Sequence, residues 1–236
     1  MKQIKLKPKE RYFFKTVYNA AFANPFSDLR ERLDLKIAGL FPSASKKESI
    51  NLCINEVSRR IKELESQNRA NINAFQGQDK KIIKVVYLFD VFYKFRDRFD
   101  QLIEDQIKAQ DTPVHVPFAK EAMHMLSSKG FGNKSIVHYF ALSYQLRRAF
   151  YFISSSLVGS SPCMQNLKKH LWNNVFTHNM DLYSNSLWNK MEDFSTLLLG
   201  ETGTGKGTAA KAIGRSGYIP FDETKQCFIQ SFTRAF

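Results

Sequence analysis

Cysteine is scarce in this chain. Cys53, Cys163 and Cys227 are the three in 236 residues, and an odd, widely spaced set without a CxxC pair signals neither a disulfide framework nor a cysteine zinc site. Long apolar runs are missing too. The longest candidate, residues 85–95, is interrupted by Asp90 and Lys94 and falls short of the roughly 18 residues that span a bilayer. No membrane partner is expected. The basic start Met1-Lys2-Gln3-Ile4-Lys5-Leu6-Lys7-Pro8-Lys9 lacks the continuous apolar core of a secretion signal, so cytoplasmic residence and reduced thiols are expected.

Metal-binding patterns are equally thin. His115, His124, His138, His170 and His178 form no i, i+4 pair and have no nearby acidic cluster in the sequence, so structural or surface roles are expected and no metal ligand is assigned. Acidic residues are outnumbered, 22 against 35 lysines and arginines, which leaves a formal charge of +13. Such a balance attracts polyanions and is compatible with DNA or RNA as a partner. It is not specific. In Arg59-Arg60-Ile61-Lys62-Glu63-Leu64-Glu65 both signs alternate as on any solvated helical face.

Helical signals fill the first 155 residues. Ser45-Lys46-Lys47-Glu48 is a capping-box pattern, and Ile50, Ile54, Val57, Ile61 and Leu64 follow at alternating spacings of four and three. A second helix is expected over about residues 80–108, with Ile83, Val86, Phe89, Phe92, Phe95, Phe99 and Leu102 on a broad aromatic face. Within it Val86-Tyr87-Leu88-Phe89-Asp90 superficially resembles an apolar strand ending in a magnesium-assisting acid. The flanks continue the helical period and no second acid follows, so Asp90 reads as a polar helix position.

Punctuation follows. The prolines of Thr112-Pro113-Val114-His115-Val116-Pro117 predict a loop, Lys129-Gly130-Phe131-Gly132-Asn133 predicts a turn, and residues 135–154 resume an aromatic amphipathic helix. Serine-rich segments at 154–156 and 160–161 bracket the expected domain junction.

The one segment that speaks about chemistry is Gly200-Glu201-Thr202-Gly203-Thr204-Gly205-Lys206-Gly207-Thr208. Residues 196–199 read as a short buried strand before it, and Ala209, Ala210, Ala212 and Ile213 give the segment after it a small apolar helical face, with Gly214 as its stop. Strand, glycine loop, lysine and helix in this order make a phosphate cradle: glycines let backbone N–H groups converge on one anion, and the helix start adds more of them. Lys206 supplies a mobile positive charge. A phosphate loop usually carries Ser or Thr directly after the lysine to ligate magnesium, whereas this chain has Gly207. Thr208 lies about 100° further round the helix and is no direct substitute. Nucleotide binding is therefore better supported than metal-assisted hydrolysis, and no catalytic residue is assigned.

Two families share this loop. Gly203-Thr204-Gly205-Lys206-Gly207-Thr208 resembles the GxGKGT signature of adenylate kinases, in which the loop stands near the chain start. The longer string from Gly200 to Lys206 with Ala210, Ala212 and Ile213 resembles the GE(S/T)GTGK…A.AI signature of the AAA+ domain of sigma-54-dependent transcription activators. Leu157-Val158-Gly159-Ser160-Ser161-Pro162-Cys163-Met164-Gln165 is similar to the segment that opens that domain, and Pro220-Phe221 is similar to the start of its next strand. The chain departs from that family at Gly207, usually Glu, and at Gly214, usually His, and its connector over 177–193 is longer.

The resemblance implies ATP with Mg2+ as cofactors, sigma-54 RNA polymerase as a partner, arginine fingers from a neighbouring subunit and hence a homo-oligomer. The family's GAFTGA contact loop, acidic Walker B strand and helix-turn-helix have no counterpart in these 236 residues. The expected architecture is a mainly α N-terminal regulatory or interaction domain, 1–155, followed by the start of an α/β P-loop (AAA+) domain, 157–236. The expected function is ATP-linked regulation of sigma-54-dependent transcription, incomplete as an ATPase. A small phosphotransferase of adenylate-kinase type and a helical binding module with a vestigial loop are the alternatives.

Overall fold

A computed structural model describes residues 3–41, 46–190 and 195–235. It is mainly helical, as the periodicity predicts. The Ser45 end of the expected capping box lies outside the described residues. The chain forms two compact units, 1–95 with 120–136, and 96–119 with 137–236.

In the first unit, α1 (Pro8–Phe22), α2 (Asp28–Ala38), α3 (Lys46–Ser66) and α4 (Gly77–Lys94) pack on one another. Along α3 the buried stripe is Cys53, Val57, Ile61 and Leu64, with Ile50 and Ile54 half-buried. Proline at the start of α1 and Ser27 at the cap of α2, whose side chain accepts from the Arg30 N–H, mark two of the helix starts. The left-handed Gly39 ends α2.

Several polar groups inside this unit pair with one another. Arg30 Nε donates to both Asp34 carboxylate oxygens at 2.8 and 2.9 Å and its NH2 donates to the Tyr93 hydroxyl. Asp90 lies on α4, as its helical flanks predict, and accepts from Ser58 Oγ and from Lys94 Nζ. Its carboxylate thus takes part in the packing of α3 and α4.

The expected single helix over 80–108 is two. Phe95 ends α4 with φ −102° and ψ 5°, and α5 (Arg96–Ala109) starts afresh, followed by α6 (Ala119–Ser128). Both halves keep the aromatic face that the period showed, with Phe95 and Phe99 buried. Nothing in a periodic stripe marks a one-residue break, because the same side chains stay on the apolar face on either side of it.

The second unit is built on α5, on α7 (Asn133–Ser156) from Val137 onward, on α8 (Pro162–Phe176) and on the segment after it, which begins with the short α9 (Met180–Leu182). The loop after α5 is held by Gln106, whose Nε2 donates to the carbonyls of Gln110 and Thr112 while its Oε1 accepts from Val114 N–H. A two-stranded antiparallel hairpin, β1 (Phe221–Asp222) and β2 (Cys227–Phe228), pairs Phe221 with Phe228. Its phenyl groups enter a continuous aromatic core: Tyr144 stacks on Phe228 at 4.1 Å, Phe140 meets Phe221 edge-on at 4.9 Å, and Phe99 meets Phe118 edge-on at 5.0 Å. The serine-rich stretch around 154–161 is the connection from α7 to α8 inside this unit, and Ser161 Oγ caps α8 through the Met164 N–H.

A second sequence expectation is corrected. Residues 196–199 are not a buried strand; they run irregularly, with Leu197 and Leu199 more than three-quarters exposed. A strand exists by pairing with a neighbour, and the strand pair of this unit among the described residues is the β1–β2 hairpin. The apolar triplet therefore has the composition of a strand without a ladder to join.

Candidate phosphate-binding loop

The loop itself follows the sequence closely. α10 (Lys206–Gly214) begins at the lysine and ends at the glycine expected to stop it. Gly205 is its N-cap in the left-handed region, φ +85°, and Gly203 has the same φ. A side chain is strained at such angles, so the two glycines are what allow the chain to turn into the helix. At Gly200 the constraint is space: a Cβ there would lie 3.0 Å from Thr204 Oγ1.

The loop closes on Lys206. Its Nζ donates to the carbonyl oxygens of Gly200 at 2.8 Å and Glu201 at 2.5 Å, and Thr204 Oγ1 donates to the same Glu201 carbonyl at 2.7 Å. Glu201, Thr202, Gly203, Thr204 and Gly205 are exposed around this half-buried lysine. A glycine cap offers no side-chain acceptor to the first turn of α10, so its leading N–H groups face water or a ligand. Ammonium, exposed loop and helix start thus sit within one short segment, a geometry suited to a phosphate chain.

The far end of α10 is fixed by α7. Arg148 NH1 donates to the Arg215 carbonyl at 2.7 Å and NH2 to the Gly217 carbonyl at 2.6 Å. Gln145 Nε2 donates to the Ser216 carbonyl at 2.9 Å and to the Tyr183 hydroxyl at 2.6 Å. A cation at a helix C-terminus complements the negative dipole end. Arg148 lies 1% exposed against the rings of Tyr144 and Phe232, 4.7 and 5.5 Å from their centroids, and burial pushes its guanidinium down to about 10. Ala209 and Ala212 bury the inner face of α10, and Ser216 Oγ donates to the Ala212 carbonyl at 2.6 Å.

Arg148 and Gln145 escaped the sequence reading. The signal was a Gln and an Arg three residues apart on the apolar side of α7, among Tyr144, Ala149 and Phe152, a spacing that puts both on one helix face.

Comparison with protein-family models, with curated proteins and with solved structures found no match to this chain.

The magnesium position can be tested on the residues. Gly207, directly after the lysine, has open space about its Cβ position and no oxygen side chain to offer, so the usual donor set for the ion does not fit there. Among the described residues no group of three or more His, Cys, Asp or Glu is arranged to hold a metal. Asp222, one of two carboxylates after Lys206, accepts from the Thr224 and Lys225 N–H groups at 2.9 and 3.0 Å and shapes the hairpin turn. His138 hydrogen-bonds to the Ser184 carbonyl through Nε2 at 2.9 Å, with Trp188 and Tyr218 packed around it.

No helix among the described residues is long and apolar enough to cross a membrane.

Proposed function

We propose that Gly200, Glu201, Thr202, Gly203, Thr204, Gly205, Lys206, Gly207 and Thr208 bind the phosphate chain of ATP or ADP. The observation that carries the reading is Lys206 at the start of α10 with its ammonium drawn onto the glycine loop's own carbonyls. A phosphate oxygen would replace those carbonyls as the acceptor of the Nζ–H groups, and the first-turn N–H groups of α10 would complete the cradle. With the family resemblance of the loop, this supports an ATP-binding regulator of sigma-54-dependent transcription, with sigma-54 RNA polymerase as the implied partner. The Gly207 position argues against efficient metal-assisted hydrolysis by this chain.

Exposure of Leu197 and Leu199 favours a second reading, a helical binding module in which the loop is vestigial. Titration calorimetry with ATP and ADP on the parent and on Lys206→Ala separates the two. Nucleotide binding that the substitution weakens supports the first; equal affinity of the two proteins refutes it and leaves the second.

A further inference from the structure

The positive charge of this protein is divided unequally. The first unit holds 22 of the lysines and arginines against 11 carboxylates, a net +11 of the chain's +13, while the second is close to balanced. Within the first unit the Leu6 N–H to Asp79 bond brings together lysine-bearing pieces of chain. Residues 4–7 run extended, with Ile4 bridged to Phe75 and its N–H donating to the Ala74 carbonyl at 3.0 Å. Leu6 turns inward, so its neighbours Lys5 and Lys7 share the outward side. Lys9 follows in the first turn of α1, exposed; near the start of α4 stand the exposed Lys81 and the half-buried Lys80, whose Nζ donates to Asn73 Oδ1 at 3.1 Å.

The carboxylates of these pieces are turned to internal use. Asp79 is 4% exposed and accepts from the Leu6 N–H at 3.0 Å and from Arg11 NH2 at 2.8 Å. Glu10 accepts from Lys7 N–H at 2.8 Å and from both terminal nitrogens of Arg69, at 2.8 and 2.9 Å. These bonds staple the extended segment to α4 and to the chain after α3. They also neutralise the local acids, so what faces solvent is lysine.

We propose that Lys5, Lys7, Lys9, Lys80 and Lys81 form a sequence-independent docking surface for the phosphodiester backbone of a nucleic acid. Lysine ammoniums are compact point charges that meet phosphate oxygens without needing the paired geometry of a carboxylate. An anionic membrane is the less fitting partner. None of residues 3–9 or 77–84 is an exposed large hydrophobic, and surface-lying segments need an apolar face to insert. The proposal is independent of the nucleotide reading, because it rests on the other compact unit.

Fluorescence polarisation tests it, with a labelled mixed-sequence strand of about 20 nucleotides and its duplex, at roughly 50 to 200 mM salt. The variant replaces Lys5, Lys7, Lys80 and Lys81 with Gln. A charge-matched control replaces Lys108, Lys168, Lys211 and Lys225, all in the second unit. The parent should bind with an affinity that falls linearly with log salt, and the variant should show a duplex slope shallower by about 2 to 4, with the control near the parent. Circular dichroism checks that each is folded, and the pairs Lys5→Gln/Lys7→Gln and Lys80→Gln/Lys81→Gln replace a quadruple variant that is not. Absence of binding by the parent at the low-salt end, equal losses in variant and control, or binding to phosphatidylserine vesicles but not to nucleic acid would each overturn the proposal.

Discussion

Arg148 holds the end of the loop helix by its backbone: its guanidinium donates to the carbonyl of Arg215 at 2.7 Å from inside an aromatic slot. A charge this deeply buried is held by dipoles and ring faces, since the acceptors of its terminal nitrogens are two peptide carbonyls. That arrangement fixes α10 from its C-terminal end while leaving the loop at the other end exposed.

Replacing Arg148 with Met should therefore destabilise the second unit by about 1–3 kcal/mol, the usual cost of leaving buried polar groups without partners. Urea unfolding of parent and Arg148→Met measures it. An unchanged midpoint would show that the two carbonyls rehydrate freely and that the buried guanidinium contributes nothing.

Alkaline pH should weaken the same unit. Burial raises the phenols of Tyr144, Tyr183 and Tyr218 to about 12 from an ordinary value of 10.0. Groups raised on folding contribute stability that is complete below the unfolded value and is lost as pH climbs through the folded one. Arg148, pushed down to about 10, works the other way, because losing its charge relieves the cost of burying it. Three phenols against one guanidinium give a net fall between about pH 10 and 12. Urea midpoints across that window, followed with phenolate absorbance, should decline together; a flat midpoint would refute the assignment.

The hairpin is part of the aromatic core. Phe228, 3% exposed, stacks on Tyr144 and meets Phe221, so Phe228→Ala should cost about 3–5 kcal/mol. A chain cut after Ser156 loses Phe221, Phe228 and Phe232 at once and leaves Phe140, Tyr144 and Phe152 uncovered. It should bind the dye ANS and melt with reduced cooperativity. A sharp melt without dye binding would show that the helices of 1–156 close over these rings by themselves.

Gly207 has no positive φ and open space where a side chain would project, so Gly207→Thr is structurally tolerated and restores a hydroxyl where phosphate loops carry one. Nucleotide affinity should become Mg2+-dependent in this variant while the parent's is nearly indifferent to the ion. Neither protein should sustain ATP turnover in a phosphate-release assay, because the Asp222 carboxylate is engaged by the Thr224 and Lys225 N–H groups of the hairpin turn. Sustained release by the parent that Lys206→Ala abolishes would revive the phosphotransferase reading.

Local chemistry is what the sequence alone determined. Glycines at 200, 203 and 205, a lysine and an alanine-rich period put the start of α10 near Lys206 and its stop at Gly214, because backbone permissiveness and helix stops act over a few neighbours. Proline and glycine likewise placed the loop at 112–117 and the turn at 129–133. Tertiary structure decided what lies beyond that range. Whether Leu197, Leu198 and Leu199 become a strand depends on a neighbour strand to pair with, which composition cannot announce. The pairing of α7 with the β1–β2 rings and the reach of Arg148 to the end of α10 join residues distant in sequence. Their energies come from burial and from satisfying buried polar groups, quantities that exist only once the chain is packed.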